Sequence, residues 1–298
     1  MKIKSIALST LLFTILAGCG NHGLDEHLVF KGPYMGQEQP GKTAEVFAPG
    51  VISTNGWELE AMFAPGMNEF YYVTHKDKSE RPKTSELKPT IFGFRFEDNV
   101  WNKFIEMPRT GEPFITADGQ TMHLAKSFRE RTASGWSDVK SLGTMFEGDE
   151  WGIMRLTASP AGTYVFDDFK GGGMRVSRLT NGERQNPIGL PKHINDGEFT
   201  AHPFIAKDES YLIWDSQREG GYGNSDLYIS FRQTDGAWGP AINMGPDVNS
   251  DKEDFYGSVT PDGQILMFNR TVLNTEDYID VDIYWVDAQV IEDLRPKP

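Results

Sequence analysis

Five side chains able to carry a proton, a charge or a ligand recur at one position of a periodic pattern. Glu60, Glu112, Arg155, His202 and Tyr256 each stand five residues ahead of a turn marker, at Pro65, Ala117, Pro160, Lys207 and Pro261. Brought together, they would allow two chemistries. Glu60 and Glu112 are candidate catalytic residues, an acid and a base acting on a glycosidic bond, whose separation would set the stereochemical course. Arg155 and His202 are candidate ligand-binding residues for the carboxylate of an acidic sugar or peptide, with Tyr256 supplying a proton as in a β-elimination. The plainer alternative is that the five side chains satisfy one another and a few internal waters. Three of them are of types seldom buried unless paired, so their clustering needs an account in either case.

The elements that must position them are repeats. The markers are spaced by 52, 43, 47 and 54 residues, the period of four-stranded β units in an array. The clearest copy spans residues 196–263. It contains a short strand, a tight turn, the aromatic strand Tyr211 to Trp214, a Gly-rich turn at Gly220, Gly221 and Gly223, and the strand Asp226 to Ser230. Gly236-x-Trp238, a polar turn and Met244-Gly245 close it.

This phrase resembles the PD40 (WD40-like, TolB-type) β-propeller repeat of bacterial envelope proteins. The resemblance rests on Pro261-Asp262-Gly263, the turn from Asp215 to Gly223, Asp226-Leu227-Tyr228, Trp238-Gly239-Pro240 and Met244-Gly245; it is good over residues 196–286 and fainter upstream. It implies an all-β propeller fold, for which the five turn markers count five blades, and leaves the activity open. In a propeller the innermost strand of each blade lines a central channel, so the five recurring side chains would form a ring there. A slip of one residue would turn them to the opposite face. The N-terminal domain that accompanies the propeller in TolB has no counterpart in the sequence, which lowers the expectation of the same role.

A second marker runs in phase with the first. Trp101, Trp136, Arg184 and Trp238 each precede an apolar residue by six positions, at Met107, Leu142, Leu190 and Met244. The fifth copy of this outer strand is missing at the C-terminus. It occurs instead near the start, where Ala44 to Ser53 resembles Ala241 to Ser250. An N-terminal strand completing the last blade would close the ring without leaving an open edge. The second unit is short between its turn and its Trp, so a strand there is expected to be short or absent. Residues 76–89 read as a solvated polar excursion.

The chain begins Met1-Lys2-Ile3-Lys4, runs apolar from Ile6 to Leu16 and ends this segment in Leu16-Ala17-Gly18-Cys19. A basic start and a short apolar core describe a secretory signal, too short for a permanent membrane span. The last four residues resemble a bacterial lipobox, with Cys19 as the lipidation site. Cys19 is also the one cysteine in the chain, so no disulfide framework is available. The expected organisation is a signal peptide over 1–18, a lipid-anchored tether over 19–41 carrying His22 and His27, and the propeller over 42–298. With Gly20 after the cysteine, the periplasmic face of the outer membrane is the expected location.

A balance of 43 acidic against 29 basic residues, net −14, disfavours nucleic acid as a partner. No zinc spacing, nucleotide fingerprint or Ser-His-Asp order stands out, so no metal and no cofactor are expected. Thr234 to Trp238 lacks the full spacing of a sialidase Asp-box and reads as a turn. Asp277, Asp280 and Asp282 do not follow a calcium loop and read as a solvated strand end. The Gly171 to Gly173 run falls where a strand turn is due, and Asp215 and Asp226 read as turn residues. The expected function is binding of an envelope protein or glycan by a lipid-anchored propeller. A carbohydrate-active enzyme, glycoside hydrolase or polysaccharide lyase, working at the channel is the alternative, and a purely structural envelope protein a third.

Overall fold

The computed structural model describes residues 30–75 and 83–297. Among the described residues, five antiparallel sheets of four or five strands follow one another along the chain, each built outward from an innermost strand, with one further two-stranded ribbon, Leu179–Thr180 and Glu183–Arg184, in the third unit. The innermost strands are Glu58–Phe63, Pro113–Ile115, Leu156–Ala158, Phe199–Ile205 and Asp254–Val259. The chain is a five-bladed β-propeller, as the period implies.

The blades share one turn. The residue before each marker (Ala64, Thr116, Ser159, Ala206, Thr260) accepts a backbone hydrogen bond at 2.8–3.1 Å from the residue three further on. Those donors, Met67, Gly119, Gly162, Glu209 and Gly263, all have φ between 58° and 82°. Three copies place glycine there, the residue that adopts this conformation at least cost. The fivefold identity of the turn confirms the alignment on which the ring of five rests.

Closure follows the expected route. Glu45–Val46 pairs with Trp285 and Tyr284 as the outer strand of the fifth blade, and the Phe47 N–H donates to Ile283 O at 2.8 Å. The turn that follows copies the one in the fourth blade: Val51 and Ile52 both donate to Ala48 O, as Val248 and Asn249 donate to Gly245 O. Phe47 is fully buried against Trp285, Phe70 and Phe63, with ring centroids 4.9, 5.2 and 6.3 Å away. Burying such a ring stabilises by about 1.5–3 kcal/mol, so the closing segment is held by packing as well as by its ladder.

Three expectations are corrected. The tether was expected to reach residue 41, but the chain joins the fold at Phe30: Phe30–Lys31 pairs with Trp101 and Val100 as a fifth strand of the first blade, and Met35 is buried in the same cluster. Apolar residues within a Gly- and Pro-rich stretch were enough to dock it. The polar excursion is more than solvated loop at its end, since the Thr84 N–H donates to Asp277 O at 3.0 Å across to the fifth blade. Asp280 and Asp282 lie inside the strand Ile279–Asp287, and Asp280 is buried. That strand packs beside Gly56 and Trp57 of the first blade, which keeps solvent from its end. The second blade is short, as expected: its strands are Pro113–Ile115, Thr121–Leu124 and Ser127–Thr132, the last flanked by Gly135–Trp136 and Lys140–Ser141. Cys19, His22 and His27 lie outside the described residues.

Candidate functional site

Three of the five ring residues are placed by a bulge. Glu60, His202 and Tyr256 have φ of 57°, 47° and 61°, and the register of their strands shifts at those points. Such a backbone is rare for residues other than glycine. A bulge frees one N–H from its ladder, and a buried N–H needs a partner. The preceding blade supplies it each time: Glu60 N donates to Asn269 Oδ1 at 3.2 Å, His202 N to Asp167 Oδ2 at 3.1 Å and Tyr256 N to Asp215 Oδ1 at 3.0 Å.

Of the side chains so presented, Glu60 and Tyr256 are buried and His202 keeps 12% of its side chain exposed; all three engage groups of the same ring. Arg109 forms two hydrogen bonds to Glu60, through Nε to Oε2 at 2.8 Å and through Nη2 to Oε1, and its Nη2 lies 3.3 Å from Glu112 Oε1. His202 Nδ1 is 2.9 Å from Asp215 Oδ1, and its Nε2 is 3.6 Å from Glu112 Oε1. Arg155 is 1% exposed, lies 3.6 Å over the Tyr256 ring, and donates to His202 O, Gly257 O and Ser258 Oγ at 3.2–3.3 Å. Tyr256 Oη donates to Pro113 O at 2.7 Å, tying the fifth blade to the second.

Burial and charge set the proton affinities. Burial pushes the Glu60 carboxyl up to about 7 against the pull of Arg109, and Asp167 up to about 7, with repulsion from Glu112 adding to it. Burial acts on Glu112 in the same sense, yet His202, Arg109 and Arg155 outweigh it and hold this carboxyl below its ordinary value. Burial opposes the imidazolium of His202, but Asp215 and Glu112 outweigh it and lift that group well above its usual range. Burial raises Tyr256 well above the phenol range, so its proton stays in the bond to Pro113.

All five sequence-derived residues therefore line one channel. Four more belong with them and were missed. Arg109 lies three residues before Glu112 and carries no repeat signal. Asp167, Asp215 and Asn269 follow an aromatic in three blades, as Phe166-Asp167, Trp214-Asp215 and Phe268-Asn269, and that recurrence was their available signal. Asp215 was read as a turn residue; it spans two blades instead. Asp226 does hold its turn, accepting from Tyr222 N at 2.7 Å and Gly223 N at 3.1 Å. Glu112, Asp167 and His202 each offer a donor atom within 4.8 Å of the others, a set able to hold a metal ion.

On the side of the five shared turns the channel widens into a vestibule of about 550 Å³. The markers Pro65, Ala117, Lys207 and Pro261 stand at its rim; Met62, Met67, Phe114, Phe204 and Val259 wall it. Ser258, which accepts from Arg155, connects it to the polar ring. The ring is thus a closed polar core, and the vestibule is the open concavity next to it.

No protein-family model matches the chain, and no curated protein matches it. Solved structures do. TolB from Acinetobacter baumannii is 15% identical with a TM-score of 0.44, over 78% of this chain and 57% of that one. The Cps50 (Swd1) β-propeller domain from Myceliophteria thermophila is 14% identical with a TM-score of 0.36, over 75% and 69%. Oligogalacturonate lyase from Vibrio parahaemolyticus is 14% identical with a TM-score of 0.38, over 75% and 64%. The chain thus spans little more than half the length of the TolB structure. Its own topology and its fivefold turn make it a five-bladed β-propeller.

Proposed function

We propose that this protein is a lipid-anchored protein of the bacterial envelope whose propeller binds a partner protein through the vestibule at the turn side of its channel. The observation that carries this reading is the division between ring and vestibule. The groups that could do chemistry are withdrawn from solvent and largely engaged with one another, while the open concavity is walled by Met62, Met67, Phe114, Phe204 and Val259. Apolar walls with a polar floor suit an extended segment bearing large apolar side chains. Lipidation at Cys19 would tether the disc to the periplasmic face of the outer membrane, a reading supported by the lipobox-like Leu16-Ala17-Gly18-Cys19.

The test is photo-crosslinking in cells with the probe at Met67, beside a probe at Glu253 outside the vestibule. A discrete protein adduct from the first position and none from the second is the expected result. Equal labelling from both, or none from either, overturns the vestibule as the binding site. Cys19→Ser is expected to release the protein into the soluble fraction, and unchanged membrane association overturns the anchor.

A second reading is favoured by the placement of Glu60, His202 and Tyr256 on left-handed bulges, since strained backbone gathers at functional sites. It is a carbohydrate-active enzyme working at the channel with Glu60 and Glu112. Turnover of neutral or uronic-acid oligosaccharides by the parent protein, lost in both Glu60→Gln and Glu112→Gln, would put this reading in place of the first.

A further inference from the structure

We propose that Glu112, Asp167 and His202 form a site inside the channel for one divalent transition-metal cation of the Zn²⁺ or Mn²⁺ kind. Each comes from a different blade, and their donor atoms lie within 4.8 Å of one another. Bonds of about 2.0–2.2 Å require neighbouring donors roughly 3 Å apart, so the site closes by side-chain movements on the order of 1 Å. The His202 Nε2 to Glu112 Oε1 distance of 3.6 Å is already near that value.

Three further observations point to a ligand. Glu112 is 7% exposed, and its Oε2 is buried without a hydrogen-bond partner while Oε1 faces Arg109 and His202. An unmatched buried carboxylate oxygen costs free energy unless something positive meets it. His202 has the arrangement of a metal-bound imidazole: Asp215 Oδ1 sits 2.9 Å from Nδ1, which fixes the proton there and turns Nε2 toward the two carboxylates. Charge completes the case. Four carboxylates (Glu60, Glu112, Asp167, Asp215) meet two guanidiniums (Arg109, Arg155) in this ring, so one divalent cation would take the place of the two protons, one of them on His202 Nε2, that otherwise offset the remaining charge.

An imidazole nitrogen among the ligands selects a transition metal over Ca²⁺ or Mg²⁺, which take oxygen. No ligand-spacing motif announces the site because its residues are far apart in sequence and meet only when the ring closes. The site does not depend on what occupies the vestibule.

The experiment uses the full chain, tag-free, stripped with EDTA and titrated calorimetrically with Zn²⁺, Mn²⁺ and Ca²⁺ in turn. One equivalent of Zn²⁺ or Mn²⁺ is expected to bind at least about tenfold more tightly than Ca²⁺ and to raise the melting temperature. Glu112→Gln and His202→Gln should each weaken it by about 10–100-fold, while His22→Ala with His27→Ala leaves it unchanged. On the parent protein, Co²⁺ should give visible ligand-field absorption and perturb the His202 ring resonances, a readout that does not require a variant to fold. Absence of stoichiometric binding, tighter binding of Ca²⁺, undiminished affinity in folded Glu112→Gln and His202→Gln proteins, or unperturbed His202 resonances with Co²⁺ would each overturn the assignment.

Discussion

Four of the five seams between blades divide into two kinds. From the third blade to the fourth, the fourth to the fifth and the fifth to the first, an Asp or Asn of one blade takes the N–H of a bulge residue in the next. From the first blade to the second there is no bulge at the ring position, and Val73 stands where Asp215 and Asn269 stand in theirs. This seam is held further out, where Glu69 accepts from Tyr71 Oη at 2.7 Å and lies 2.9 Å from Arg131 Nη1, with Arg131 stacked 4.1 Å over Trp136. The difference teaches that bulge and acceptor come as a pair. An N–H is freed to aim a side chain into the channel, and an acceptor from the neighbouring blade is then required; without the bulge, an apolar residue suffices.

The largest effect that would break this comparison is loss of closure. Deleting residues 42–53 removes the outer strand of the fifth blade together with buried Phe47 and Ile52, and it should abolish the cooperative thermal transition followed by circular dichroism. A retained transition at the parent temperature would mean that the ring does not close through this segment. Next comes Asp215→Ala, which leaves the Tyr256 N–H and a largely enclosed His202 beside Glu112 without their partner. It should cost about 3–5 kcal/mol in urea unfolding, the range for breaking a buried charged pair. Asn269→Ala removes a neutral acceptor from the equivalent place and should cost only about 1–3 kcal/mol. Equal losses at Asp215 and Asn269 would show that the clasp acts through its backbone bond alone. Arg131→Ala, at the seam without a clasp and with 20% of its side chain exposed, should cost about 1 kcal/mol or less for its ion pair.

What was legible in the sequence follows the range of the interactions. The five turns depend on residues within a few positions of each other, so Pro65 and Pro261 could be aligned by eye, and the ring positions followed by counting back. Closure was legible because Ala44 to Ser53 repeats a local turn also present at Ala241 to Ser250. The clasps were not, because the acceptor Asp167 and its donor His202 belong to different blades and neither looks unusual alone. Arg109 was missed for the same reason: its partner Glu60 is brought to it only when two blades pack. Phe30 and Met35 show the converse, apolar residues in a stretch of linker-like composition that the packed ring makes useful.

The smallest effect sharpens the comparison at the seam from the fifth blade to the first, where acidic groups rather than a clasp alone meet the interface. Burial, then repulsion from Asp280 and Glu58, pushes the Asp282 carboxyl up to about 7 from an ordinary 3.8. The folded protein therefore holds this proton more tightly than the unfolded chain. The associated stability is present below about pH 4 and declines as pH rises through about 7. Asp282→Asn, which mimics the protonated carboxyl, should melt at the parent temperature near about pH 4 and above it at about pH 8. The group is partly exposed, so solvent screening keeps the gain small, on the order of 2 °C for a domain of this size. The Asp215 seam has the opposite character, since that carboxylate is matched by an imidazole and a backbone N–H. A melting curve of Asp282→Asn that tracks the parent at both pH values would remove the acidic group from the account of this seam and leave the Asn269 clasp as its polar tie.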